Sequence, residues 1–329
     1  MRSIFAQSLT TALLFSVVYG LSAAEPRILI DRDRITVSGI SAGGQMAHQL
    51  HIAYSDWFSG VGIIAGGPYG CAEGSLALAM GRCMGKTDGT YVVSEQVNVL
   101  QEAVDEGLIA NTDHLENDRV WLFHGVLDTV VAPQLSESVA DLYAEYLPAE
   151  NIRYVHDIQA AHHFPASGVG HACDISETPF VGNCEFDAAG EILQFLYGDL
   201  TDPGAKPATP LVESSLPGAK DASLAESVWL FIPTACTGTD QGCAFHLVLH
   251  GCAQAAEQVG KDFIEQSGYL QWAAANDIVL AFPQVVAGAT NPFACWDWWG
   301  YTGANYRWRE SAQMSVLVDW IETLSVAAD

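Results

Sequence analysis

A serine, an aspartate and a histidine that could cooperate in nucleophilic catalysis follow one another along this chain. The serine is Ser41, at the centre of Gly39-Ile40-Ser41-Ala42-Gly43. G-x-S-x-G marks a sharp strand-to-helix turn. It lifts a hydroxyl clear of a sheet and aims the free N–H groups of a helix N-terminus at the same spot. Such a turn tolerates little more than a hydrogen at its flanks, hence glycine at both. The bland alternative is a glycine-rich turn with a buried serine. Asp128 closes His124-Gly125-Val126-Leu127-Asp128, just past the apolar run 120–123. A triad acid belongs beyond the C-terminal end of a parallel strand, whereas an Asx-turn residue merely closes a loop. The histidine must take the serine proton and return it to a leaving alkoxide. It comes from His162-His163, with His171 as a third candidate. His48, His51, His114 and His124 read as structural or surface residues. Metal binding by the tandem pair is disfavoured, because adjacent side chains point apart and no third ligand is evident. No metal or cofactor is expected.

These groups need a sheet beneath them. Ile35-Thr36-Val37-Ser38 reads as the strand entering the turn, and a helix follows from Gly44 to about Tyr54. Residues 120–123 are apolar throughout, as a parallel strand covered on both faces would be. From about 199 to 225 the chain is rich in Pro, Gly, Ala and Ser, which reads naively as an interdomain linker. Beyond it come apolar runs at 228–233, 245–252 and 277–283, a helical stretch at 257–275 and an amphipathic helix at 311–324. The run ending in His250-Gly251-Cys252 looks like the strand that presents a second oxyanion donor in serine hydrolases of the α/β class. That strand normally precedes the serine; here it follows the histidine. Circular permutation accounts for this, the 199–225 joint connecting what are usually the chain ends, which often lie close together. Both halves then share one mostly parallel sheet with helices on both faces. A complete first domain followed by an unrelated second one is the alternative.

Residues 1–24 read as a secretory signal peptide, with Arg2, an apolar run at 11–18 and Ser22-Ala23-Ala24 as the cleavage site. Residues 25–329 then form one exported catalytic domain, extracellular or periplasmic and expected to be monomeric. Eight cysteines in an exported chain suggest disulfides. With no Cys-x-x-Cys among them, a structural zinc is disfavoured. Sequence neighbours suggest Cys71–Cys83, Cys173–Cys184, Cys236–Cys243 and Cys252–Cys295, one of roughly a hundred possible pairings. Thirty-nine acidic against 13 basic residues give a net charge of −26, which argues against nucleic acid or anionic membrane as partners. Aromatic residues crowd Cys295-Trp296-Asp297-Trp298-Trp299-Gly300-Tyr301 and recur at Tyr306 and Trp308. They either fill core or line an apolar cleft.

Taken together, several blocks resemble one family. They are the serine turn running on through Gly44-Gln45-Met46-Ala47, Ala65-Gly66-Gly67-Pro68-Tyr69-Gly70-Cys71, His124-Gly125 with Asp128, and Ala161-His162. Asn183-Cys184-Glu185-Phe186-Asp187, Leu249-His250-Gly251-Cys252-Ala253-Gln254 and the tryptophan block complete the set. The set is similar to the polyhydroxybutyrate depolymerases, and within them to the branch with a circularly permuted α/β-hydrolase fold. The resemblance implies Ser41 as nucleophile, Asp128 as acid and His162, rather than His163, as base. It implies backbone N–H groups of Ala42 and Cys252 as oxyanion donors, and Trp299, then Trp308 and Trp298, beside the substrate. The implied activity is hydrolysis of a 3-hydroxybutyrate polyester or its oligomers through an acyl-enzyme. His163 stands where smaller residues are usual, and no polymer-binding module is expected after Asp329. A feruloyl or acetylxylan esterase of the same fold is the nearest alternative, and a non-catalytic polymer-binding protein the alternative from another class.

Overall fold

Apolar, β-branched stretches along the chain assemble into strands. The structure, a computed structural model, describes residues 28–87, 91–204, 207, 209–238 and 242–325; the expected leader lies outside them. In chain order the strands are β1 (Ile30–Ile40), β2 (Gly60–Ile64), β3 (Arg119–Phe123), β4 (Ile152–Val155), β5 (Phe164–Ala166), β6 (His171–Ala172), β7 (Val181–Asn183), β8 (Val212–Ser215), β9 (Ser227–Phe231), β10 (Cys243–Leu249) and β11 (Ile278–Phe282). Eight of them form one sheet in the order β4-β3-β2-β1-β10-β11-β9-β8, and β5-β7-β6 make a small separate one. From β4 to β11 the large sheet is parallel; β9 and β8 join antiparallel at its edge.

The centre of the large sheet is the pairing of β1 with β10, one strand from each half of the chain. Counted from β8 instead of β1, β10 becomes the third strand and β1 the fifth. The loop after β10 then stands where hydrolases of this fold carry their second oxyanion donor, and the serine turn follows β1. This is the permuted α/β-hydrolase arrangement. The register matters for the site. Gly39 lies opposite Leu249, so the chain leaves β1 toward Ser41 and β10 toward Cys252 side by side.

The helices are α1 (Ala42–Ala53), α2 (Leu76–Met80), α3 (Val93–Asp105), α4 (Pro133–Tyr143), α5 (Ala188–Tyr197), α6 (Ala256–Val259), α7 (Asp262–Gln266), α8 (Tyr269–Asn276) and α9 (Ala312–Ser325). Met46 and Leu50 of α1, Leu100 of α3, Leu142 of α4 and Leu317 of α9 pack with Val37 and Leu247 on one face. Ile192 of α5, Phe263 of α7 and Leu270 of α8 pack with Ile40 and Val248 on the other. Each such buried side chain contributes roughly 1.5–3 kcal/mol. A sheet covered on both faces explains why β10 is buried along its whole length. The polar exceptions satisfy one another. His246 Nδ1 lies 2.6 Å from Thr36 Oγ1 and its Nε2 2.7 Å from Ser38 Oγ, which also bonds Tyr269.

Two expectations change. The helix expected over 257–275 is three short ones, broken at Gly260 and Gly268, whose φ values of 62° and 92° belong to helix termini. The segment read as a joint contains β8, which pairs with β9 and buries Ser214.

Candidate active site

The turn between β1 and α1 is tight for a steric reason. A Cβ at Gly39 would lie 2.3 Å from the Gly43 carbonyl oxygen, and one at Gly43 would lie 2.4 Å from those of both Leu249 and His250. Glycine at 43 therefore lets the start of α1 press against the end of β10. Ser41 itself has φ 55° and ψ −119°, a conformation costing a non-glycine residue on the order of 1–3 kcal/mol. Its N–H bonds the Ile64 carbonyl at 2.8 Å, pinning the turn to β2. No side chain caps α1, and the Ala42 N–H has no hydrogen-bond partner among the described residues.

Asp128 sits beyond β3 with a side chain only 1 % exposed. Its Oδ1 accepts the N–H groups of Val130 and Val131 at 2.8 and 3.0 Å, while Oδ2 accepts from His162 Nδ1 at 2.7 Å. Burial would raise its pKa, but the hydrogen bond and charge of His162 and the two amides outweigh it, leaving the carboxyl below its ordinary range. With Nδ1–H committed to the carboxylate, neutral His162 keeps its lone pair on Nε2, the nitrogen a general base uses. Ser176 fixes the backbone, its hydroxyl donating to the His162 carbonyl at 2.5 Å.

The other histidine candidates are engaged elsewhere. His163 is buried and donates from Nε2 to the Cys173 carbonyl at 2.7 Å; His171 reaches the Thr178 carbonyl at 2.8 Å. His163 does lie beside two cysteine sulfurs. Cys173 and Cys184 are bonded to each other, so they offer no thiolate to a metal.

The loop after β10 is held from three directions. Gln254 accepts the Gly251 N–H at 2.7 Å and donates to the Pro179 and Phe180 carbonyls at 3.0 and 2.9 Å. His250 accepts the Val285 N–H at Nε2, 3.2 Å away, so its proton is on Nδ1, facing the Gly251 carbonyl. Burial lowers its pKa to about 4, keeping the ring neutral. Cys252 is tied to Cys295. Its N–H has no partner among the described residues, like that of Ala42.

Ser41, His162 and Cys252 line one cavity of about 580 Å³, whose wall is overwhelmingly apolar. The Ser41 hydroxyl makes no hydrogen bond among the described residues. Such contacts are often long until substrate arrives. Trp298 and Trp299 form part of the wall and Phe293 its rim. Both tryptophans also belong to the buried core, so core filling and cleft lining are not exclusive. Trp308, expected beside the substrate, does not line the cavity. It packs against Tyr69 and under the Arg307 guanidinium instead. The tryptophan loop is shaped by buried Asp297. Oδ1 accepts the N–H groups of Trp299, Gly300 and Tyr301, and Oδ2 accepts the N–H and hydroxyl of Thr302. Sequence reading assigned no role to Gln254 or Asp297. The signal available was their place inside the His-Gly-Cys and tryptophan blocks.

Four disulfides join Cys71–Cys83, Cys173–Cys184, Cys236–Cys243 and Cys252–Cys295. Among the described residues no helix is long and apolar enough to cross a membrane.

No family model matches the chain. It is 38% identical over 305 residues to a poly(3-hydroxybutyrate) depolymerase of Delftia acidovorans, covering 91% of this chain and 61% of that protein. The chain thus spans about three-fifths of that relative's length. It is 30% identical over 323 residues to a polyhydroxybutyrate depolymerase of Talaromyces funiculosus, covering 92% of this chain and 93% of that one. Among solved structures, a PHB depolymerase complexed with an R3HB trimer superposes with a TM-score of 0.85 at 27% identity, covering 93% of this chain and all of that one. On the serine turn, the permuted sheet and these likenesses, the chain belongs to the polyhydroxybutyrate depolymerase family.

Proposed function

We propose that this protein is an exported serine esterase that hydrolyses poly(3-hydroxybutyrate) or its oligomers through an acyl-enzyme on Ser41. The observation carrying the proposal is the strained Ser41 turn opening into the same apolar cavity as His162, whose far nitrogen is bonded to buried Asp128. In this mechanism His162 Nε2 takes the Ser41 proton as the serine oxygen attacks an ester carbonyl. The tetrahedral oxyanion accepts hydrogen bonds from the N–H groups of Ala42 and Cys252, each such donor being worth about 2.7–4 kcal/mol in comparable sites. His162 then protonates the departing hydroxyl as the C–O bond breaks. Water repeats the sequence, releasing the acid and restoring the serine.

Trp298 and Trp299 offer apolar walls to a polyester backbone. A neutral substrate also suits a chain of net charge −26. The leader is removed near residue 24, and residues 25–329 act as one monomeric unit; four disulfides fit an oxidising compartment.

The test is incubation with amorphous polyhydroxybutyrate granules beside a phosphonate-treated control. Phosphonate-sensitive release of 3-hydroxybutyrate or its oligomers is expected. Inert granules, together with release of ferulate or acetate from xylan, would overturn the polyester reading.

A further inference from the structure

His124 ends the run from β3, four residues before Asp128, with its side chain 2 % exposed. Its Nδ1 lies 2.9 Å from Ser136 Oγ on α4, and that hydroxyl donates to the Gly66 carbonyl at 3.1 Å. A hydroxyl has one proton and a carbonyl can only accept. Ser136 has thus spent its proton on Gly66, and must accept one from His124 Nδ1–H. The neutral ring is therefore the Nδ1–H tautomer. Its Nε2 is buried without a formed hydrogen bond, 4.0 Å from Asp128 Oδ2, and the Val131 carbonyl is also within the ring's reach. That same oxygen accepts from His162. One carboxylate oxygen thus stands between two imidazoles. One donates to it; the other faces it with a bare nitrogen that a proton would turn into a competing donor.

We propose that His124 is a positioning residue for Asp128 whose protonation at Nε2 draws Oδ2 away from His162 and switches the catalytic pair off in acid. The inference rests on the reading of Asp128 and His162 as the triad acid and base. With His124 neutral, Oδ2 has a single ring donor and holds His162 in the tautomer that leaves Nε2 basic. With His124 charged, its N–H competes for Oδ2, and its positive charge opposes the imidazolium that His162 must become during the reaction. The titratable groups facing His124 are Asp128, His162 and Glu137 of α4. Burial, the largest influence, and His162 push its pKa below 6.5, against Asp128, the Val131 backbone and Glu137. The ring is accordingly neutral at pH 7 and charges only on the acid side.

His124→Asn tests this. The Asn amide keeps a donor toward Ser136 and removes the titrating nitrogen. On a soluble short-chain ester, the wild-type acid limb of log(kcat/KM) against pH should steepen toward a slope of about 2, and the variant should keep about 1. Identical limbs would overturn the proposal. Imidazole ¹⁵N NMR of the unmodified protein supplies a second readout if the variant does not fold. The expected spectrum has His124 protonated at Nδ1 only at neutral pH, with Nε2 gaining a proton across the range where activity falls. An Nε2–H tautomer at neutral pH, or a ring still neutral after activity is gone, would overturn it. Phosphonate labelling separates the two levels. If Ser41 is not labelled, the triad reading and this inference fall together. If it is labelled and the limbs coincide, only the role of His124 falls.

Discussion

Gln254 offers the sharpest quantitative test of how the site is built. Its side chain is 2 % exposed and makes three hydrogen bonds, one to the Gly251 N–H and two to carbonyls of the segment following the histidine loop. Gln254→Met keeps the volume and removes all three. At about 0.5–1.5 kcal/mol each, the loss of three sums to roughly 1.5–4.5 kcal/mol. That is a drop of about 2–7 °C in melting temperature for a chain of this size. The second effect is on rate. Gly251 precedes Cys252, whose N–H is the proposed donor; if it drifts, up to about 2.7–4 kcal/mol of transition-state stabilisation goes, or 10²–10³ in kcat. Differential scanning fluorimetry and steady-state kinetics on a soluble butyrate ester read the two effects separately. A variant that melts earlier but keeps kcat within a few-fold would show that Gln254 is only a structural brace. The claim that it aims the oxyanion donor would then be wrong.

Two further predictions concern buried carboxylates. Asp297→Ala removes the acceptor for five donors in the tryptophan loop. Charge-assisted bonds are worth about 1.5–3 kcal/mol each and do not add fully, so a stability loss above about 4 kcal/mol is expected. KM for 3-hydroxybutyrate oligomers should rise more than KM for a minimal ester, and equal changes would contradict the cavity assignment. Asp128 has a folded pKa below its ordinary value. Its contribution to stability is therefore present above the ordinary carboxylate value of about 3.9 and is lost as pH falls through the lower folded one. Urea melts of wild type and Asp128→Asn should differ most near neutrality and converge as pH falls through the folded value; a constant gap would refute the ion-pair reading.

What could be read from sequence was local. The serine turn announces itself because Gly39 and Gly43 are demanded by contacts within a few residues of Ser41 and by one neighbouring strand. Asp128 is legible because it follows an apolar strand. The permutation could be inferred because His250-Gly251-Cys252 stands on the wrong side of the serine. Longer-range chemistry was not legible. Nothing local says that Ser136 and Gly66 set the tautomer of His124, or that Gln254 reaches the Pro179 and Phe180 carbonyls. Aromatic density marked the tryptophan loop, but density does not say which ring faces the cleft. Trp299 does, whereas Trp308 lies against Tyr69. Apolar periodicity also ran straight through Gly260 and Gly268, where the backbone turns left-handed and divides one expected helix into three.

Ser41 as nucleophile with His162 as its base is tested most directly by the rate and site of phosphonate attachment in wild type and His162→Ala, followed by peptide mapping. A single modification at Ser41 is expected, slowed by about 10³ or more without the imidazole. Attachment at another residue, or a rate indifferent to the loss of His162, would contradict it.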